Sequence, residues 1–218
     1  METKAPVVVA PAIPDSHALA AVRALCEDAH PYKTGSASDA VFIAAMKESV
    51  LWHQARSLFY ARLLEQDRFQ IESIITVADC ARIPMIPALF FKSHAVRSIP
   101  HEEITLTLTS SGTTGLKSQM FYDCWSIKAP QRMVEFIFDY YGWTTPHTPT
   151  NYLLYSYEVE RDSRLGTAFT DNFLCGFAPV SEAFYALRMN GNGGHEFDAF
   201  GTIAALERFA KEGLPVRL

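Results

Sequence analysis

Residues 104–109 read Ile-Thr-Leu-Thr-Leu-Thr, with an apolar side chain at every second position and a hydroxyl between. Period two puts Ile104, Leu106 and Leu108 on one face of an extended chain, the pattern of a β-strand with one side buried. Ser110, Ser111, Gly112, Thr113, Thr114, Gly115, Leu116, Lys117 and Ser118 follow, a small polar run that breaks the strand. Helical spacing then sets in over 126–141, which predicts a helix with Pro130 in its first turn, Met133, Phe136, Ile137 and Tyr140 facing inward, and Gly142 as its stop. Strand, loop and helix in that order form the repeating unit of an α/β sheet.

The same alternation continues. Strands are predicted at 151–157 and 183–189, helices at 164–175 and 202–211, the second closed by Gly213, and a further strand begins at 215–218. The expected fold class is α/β, a largely parallel sheet with flanking helices. Upstream, Leu19, Val22 and Leu25 predict a helix within 17–30, ended by Pro31. A longer helix starts near Asp39 and carries Phe42, Met46, Val50, Leu51, Ala55, Leu58, Phe59 and Leu63 up to the charged stretch 65–68. Pro84 and Pro87 forbid a helix or central strand over 83–92, so that stretch is expected to run extended along an edge. The chain thus divides into a Pro/Ala-rich arm at 1–16, a helical region at 17–82 and an α/β region at 83–218, with no internal repeat.

Composition excludes several classes. With 218 residues, 49% hydrophobic and 20% charged, the chain can bury a sizeable core, and disorder, collagen and a coiled-coil rod are ruled out. Lys and Arg number 19 against 24 Asp and Glu, a net charge of −5, whereas a general nucleic-acid binder carries a basic surface. The apolar patch at 7–10 is broken by Pro6, Pro11 and Pro14 short of signal-peptide or membrane-span length. Cys26, Cys80, Cys124 and Cys175 lie far apart with no C-x-x-C pair, which reads as reduced thiols and a cytoplasmic protein.

The chemistry-bearing segment is 109–117, which holds five hydroxyl side chains, two glycines and a lysine. Glycines let backbone N–H groups turn toward an anion, hydroxyls add donors to phosphate oxygens, and a lysine adds charge. The spacing is not that of G-x-x-x-x-G-K-[ST]: two residues separate Gly112 from Gly115, and Leu116 stands before the lysine. A plain hydroxyl-rich loop is the competing reading. The other glycine cluster, Gly191, Gly193 and Gly194, lacks dinucleotide-loop spacing and reads as a tight turn between strands.

Other candidates carry less. His94, His101 and His195 lack the spacing of a metal site and read as surface or structural residues. Cys124, near a helix start, reads as a small buried thiol in preference to a reactive one. Phe121, Tyr122, Trp125, Phe136, Phe138, Tyr140, Tyr141 and Trp143 are expected mostly in the core, an acyl or aryl pocket being the second reading. Lys92 and Arg97 are candidates for steering an anion, with solvated surface charge the default.

The run from Thr109 to Lys117 resembles the T-S-G-T-T-G-x-P-K signature of the adenylate-forming enzymes, with a doubled serine and no proline. Ile83-Pro84-Met85-Ile86-Pro87, Phe91-Lys92, Ser98-Ile99-Pro100 and Glu103-Ile104 ahead of it, and Ser118-Gln119 after it, narrow the resemblance to the LuxE-type acyl-protein synthetases, relatives of phenylacetate-CoA ligase. That resemblance implies ATP and Mg²⁺ as cofactors and a carboxylic acid substrate, fatty or aryl, activated as an acyl-adenylate and passed to a thiol of a partner protein or coenzyme A. It implies that Thr109, Ser110, Ser111, Gly112, Thr113, Thr114, Gly115 and Lys117 bind the phosphates. It also implies the N-terminal part of the large domain of such an enzyme, because the family's adenine-binding Tyr/Glu motif, ribose aspartate, late lysine and acyl-accepting cysteine are not found up to Leu218. No catalytic residue is assigned. The alternative expectation is a non-catalytic module that binds a nucleotide or a partner chain.

Overall fold

The computed structural model describes residues 12–30, 32–110, 117–158, 170–171, 173–192 and 194–218. The chain forms two compact units, Met1–Thr107 with Gly112–Phe136, and Leu108–Ser111 with Ile137–Leu218.

The first unit opens with helices α1 (Ala20–Glu27), α2 (Ser36–Arg56) and α3 (Leu58–Gln66). The one long helix expected from Asp39 is in fact two, because Ser57 leaves helical geometry at φ −121° and ψ 105°. Its N–H still closes α2 on the His53 carbonyl at 2.8 Å. Its hydroxyl accepts the Tyr60 N–H at 3.4 Å, so one buried serine ends one helix and caps the next. Ala45 and Val50 of α2 and Leu64 of α3 are buried. The chain before α1 is anchored by Ile13, 6% exposed. Short 3-10 helices follow, one turn at Ile71–Ser73 and two at Val77–Arg82, the second started by a Thr76/Asp79 capping box.

The proline-bounded stretch 83–92 is not an edge strand. It forms a turn that winds into the short helix α4 (Phe90–Ser93), where Phe90 stacks on Phe59 of α3 at 4.6 Å between ring centroids. The prolines explain the missing strand, since each removes a ladder donor, but the turn into α4 is set by the aromatic contact. Strand β1 (Leu106–Thr109) then pairs with β2 (Gln119–Tyr122), and the Thr105 N–H donates to the Tyr122 carbonyl at 2.8 Å. Helix α5 (Cys124–Tyr140) follows, with the Asp123 carboxylate accepting the Ser126 N–H at 2.7 Å as its N-cap. The helix starts two residues earlier than expected, so Pro130 lies inside it and not in its first turn. Ala129 is its buried residue, while Met133 and Tyr140, expected inward, are exposed.

The second unit is built on a four-stranded sheet in the order β5-β4-β3-β6, with β3 at Thr150–Tyr157, β4 at Val180–Met189, β5 at His195–Phe197 and β6 at Val216–Arg217. β3 pairs parallel with both β4 and β6, as the alternating pattern predicts. β5 is antiparallel to β4, so the sheet is mixed. The reason lies in the connection: after Met189 the chain reverses within 190–194, with Gly191 at φ +73°, far too short a link for a crossover. Helix α6 (Ala199–Glu212) returns the chain to β6. Asp198 caps its start by accepting the Gly201 N–H at 2.7 Å, and Gly213 closes it at φ +70°. Leu153 of β3 and Ala205 and Phe209 of α6 are fully buried, with Phe184 of β4 packed against them. Of the helix expected over 164–175, residues 170–171 and 173–174 are helical, and 164–169 and 172 lie outside the described residues.

Candidate phosphate-binding loop

The segment singled out by composition lies between two paired strands. Thr109 ends β1 half-buried, Ser110 is exposed and engaged in a polar contact, and Lys117 is exposed two residues before β2 begins. Ser111, Gly112, Thr113, Thr114 and Gly115 lie outside the described residues. The order is therefore strand, loop, strand, helix: β2 interposes between the loop and α5, an element that periodicity missed because Gln119-Met120-Phe121-Tyr122 is too short to show a period. The strands on either side of the segment, β1 and β2, are paired with each other.

Around it, the aromatic run after the loop splits three ways. Phe121 and Trp125 line a cavity of the first unit. Phe138 stacks on Phe177 at 4.1 Å and meets Trp143 edge-on at 5.5 Å, in the second unit. Tyr140, Tyr141 and Trp143 are exposed at 62%, 48% and 49%, against the expectation of core. Helical spacing misled because Tyr140 and Tyr141 sit where α5 ends and Trp143 lies beyond it.

The histidines take local partners. His94 stacks on Phe90 at 4.0 Å, and its Nδ1 lies 3.0 Å from the Ser93 hydroxyl. His101 Nδ1 lies 3.4 Å from Nη1 of Arg97. His195 Nε2 lies 3.2 Å from the Glu158 carbonyl. His53, which sequence reasoning passed over, has its Nδ1 2.7 Å from the Ser98 hydroxyl, a contact across 45 residues that no local pattern reveals. The residue keeps an exposed edge, yet desolvation beside Tyr60 holds its imidazole below the ordinary histidine value. Among the described residues no group of three or more His, Cys, Asp or Glu is placed to hold a metal ion.

The cysteines also differ from expectation at one position. Cys124, expected buried, is exposed at the first turn of α5, while Cys26, Cys80 and Cys175 are half-buried, and all four are free thiols. Burial pushes the Cys175 thiol up, with the Asp171 carboxylate adding to the shift and Arg217 opposing it. Burial likewise raises Cys26, with Glu27 beside it. No helix among the described residues is long and apolar enough to cross a membrane.

Comparison with known families gives one match, to the family described as acyl-protein synthetase, LuxE, over residues 15–148. The matched span takes in both the lead-in from 83 and the whole of the 109–117 loop, and it covers more than half of the chain. No curated protein matches the sequence. The chain belongs to the LuxE acyl-protein synthetase family.

Proposed function

We propose that this chain takes part in the ATP-dependent activation of a carboxylic acid, fatty or aryl, as an acyl-adenylate, with the acyl group then passed to a thiol. The observation that carries the reading is the Thr109–Lys117 composition inside a span matched by an acyl-protein synthetase family. In this reaction a carboxylate oxygen attacks the α-phosphorus of ATP, the mixed anhydride forms and pyrophosphate leaves. The thiol sulfur then attacks the acyl carbon, the proton passes to solvent and AMP leaves.

In this reading the loop's own groups bind and orient. Backbone N–H groups at Gly112 and Gly115 and the hydroxyls of Thr109, Ser110, Ser111, Thr113 and Thr114 hold phosphate oxygens, and Lys117 offsets the charge that develops on pyrophosphate. The exposure of Lys117 beside an anchored strand fits that task. Mg²⁺, when bound, neutralises the phosphates. The thiol belongs to a partner protein or to coenzyme A.

The test is exchange of labelled pyrophosphate into ATP by the full-length gene product across a panel of carboxylic acids. Acid-dependent exchange is expected, falling about 10²-fold in Lys117→Ala and lost in Gly112→Val, the size of effect seen when one preorganised donor is removed. Exchange with no acid in the panel overturns the reading. Calorimetric binding of ATP with Mg²⁺ in the absence of exchange assigns the chain to a nucleotide-binding module.

A further inference from the structure

We propose that Ser98 and His53 form a nucleophile and base pair that hydrolyses small carboxylic esters held in a cavity of the first unit. The Ser98 hydroxyl lies 2.7 Å from His53 Nδ1, within the reach at which a serine hands its proton to an imidazole. Both residues line one cavity of about 570 Å³, so the pair faces open space and not a packed interior. That volume takes a small molecule. Other serines of this unit use the hydroxyl differently: Ser38, Ser49 and Ser126 each donate to a backbone carbonyl three or four residues back. Ser98 instead meets a ring 45 residues away, and among the described residues that is the one hydrogen bond of its hydroxyl.

The fold holds the base in position. His53 lies in the last turn of α2, and its carbonyl accepts the Ser57 N–H that ends the helix. The Tyr60 ring meets the imidazole edge-on, with 6.1 Å between centroids. Desolvation there keeps the imidazole below its ordinary value, so at neutral pH the ring is present as the base. Arg97 precedes Ser98 and lines the same cavity, and Arg56 joins both on the wall of an adjoining recess. The Arg97 guanidinium lies 3.4 Å from the His101 ring and pairs with no carboxylate among the described residues. A cation at that place stabilises the oxyanion that forms when a carbonyl carbon becomes tetrahedral. Asp123 also lines the cavity, and its carboxylate is engaged as the cap of α5.

Atoms balance with water as the co-reactant. Ser98 Oγ bonds to the ester carbonyl carbon as its proton passes to His53 Nδ1. The bond to the alkoxy oxygen then breaks, and the alcohol leaves with that proton. Water attacks the acyl-serine, gives one proton to His53 and through it to Ser98 Oγ, and the carboxylic acid departs. Trp52, Phe91, Phe121 and Trp125 wall the space around the pair, which favours uncharged esters over charged ones. This activity consumes an activated acyl bond, whereas the reaction proposed above makes one.

The test incubates the full-length gene product, without ATP, with a fluorophosphonate and maps the adduct by peptide mass spectrometry, while hydrolysis of 4-nitrophenyl butyrate is followed in parallel. One adduct, on Ser98, is expected, and it blocks hydrolysis. Ser98→Ala is expected to abolish both signals. His53→Gln, which keeps a hydrogen-bonding side chain beside Ser98, is expected to slow labelling and hydrolysis at least about 10²-fold, the contribution of a positioned base. An unlabelled wild-type chain, a label on any residue but Ser98, or equal labelling rates in wild type and His53→Gln overturns the proposal. The wild-type result decides on its own if a variant does not fold. No nucleotide is present, so failure here leaves pyrophosphate exchange standing, and failed exchange leaves this result standing.

Discussion

The carboxylate of Glu48 in α2 accepts the backbone N–H groups of both Ala21 and Val22, at 2.7 and 3.0 Å, and so caps a helix to which it does not belong. Helix α1 has Leu19 at its N-cap and no side-chain cap of its own. Two of the donors that every helix leaves unpaired at its start are satisfied from across the bundle. A negative charge at that end also faces the positive end of the helix dipole.

Replacement of Glu48 separates these contributions. Glu48→Ala is expected to cost about 1–3 kcal/mol, because two half-buried N–H groups lose their partner. Glu48→Gln keeps an acceptor oxygen and is expected to cost less than about 1 kcal/mol, the charge–dipole part alone. Urea unfolding of both variants checks this; equal losses contradict it.

A glycine inside α6 behaves against its usual ranking. A Cβ at Gly201 lands 2.1 Å from the Asp198 carboxylate that caps the helix and 2.8 Å from the Phe184 ring. Ala normally gains up to about 1 kcal/mol over Gly in a helix. Here Gly201→Ala is expected to lower the melting temperature, since the cap at Asp198 and the ring against the core must both shift. A rise in melting temperature would falsify the close approach.

His53 gives a stability term with a defined sign. Its folded-state value lies below the ordinary one of 6.5, so in the window just below 6.5 the unfolded chain binds more protons. This contribution is complete above pH 6.5 and is lost as pH falls through the folded-state value. His53→Gln, which can still hydrogen-bond Ser98 and cannot titrate, is expected to flatten the fall. The checking measurement is the difference in melting temperature between wild type and variant from pH 8 to pH 5, which should shrink or reverse on the acid side.

Thiol reactivity should follow exposure and burial. The thiolate is the reacting form, and Cys26 and Cys175 are both pushed up by burial while Cys124 is exposed. Iodoacetamide at mildly alkaline pH is expected to label Cys124 well before either. Asp171→Asn, which removes a neighbouring negative charge, should speed labelling of Cys175. Peptide mass spectrometry over a time course reads the order, and a uniform rate at all three sites contradicts it.

Local pattern reached a long way along this chain. Asn-to-Tyr apolar character over 151–157, the helix ended by Gly213 and the strand after Pro215 all correspond to β3, α6 and β6, because each is set by period and by a stop residue. The composition of 109–117 stands out for the same kind of reason, small, hydroxylated and glycine residues together, and the phosphate-binding role proposed above is argued from it. What pattern missed was short or relational. β2 has four residues, too few for a period. The break at Ser57 rests on a backbone turn that a continuous apolar stripe conceals.

The sequence by itself determined the family, the strands β3, β4 and β6 and the helix α6 of the second unit, and a hydroxyl- and glycine-rich segment following a strand, since these depend on neighbours within a few residues. Tertiary structure alone decided that Glu48 caps α1 and that His53 meets Ser98 beside two arginines. Those contacts join residues 26 and 45 positions apart, and only the packing of one element on another brings such groups within hydrogen-bond reach.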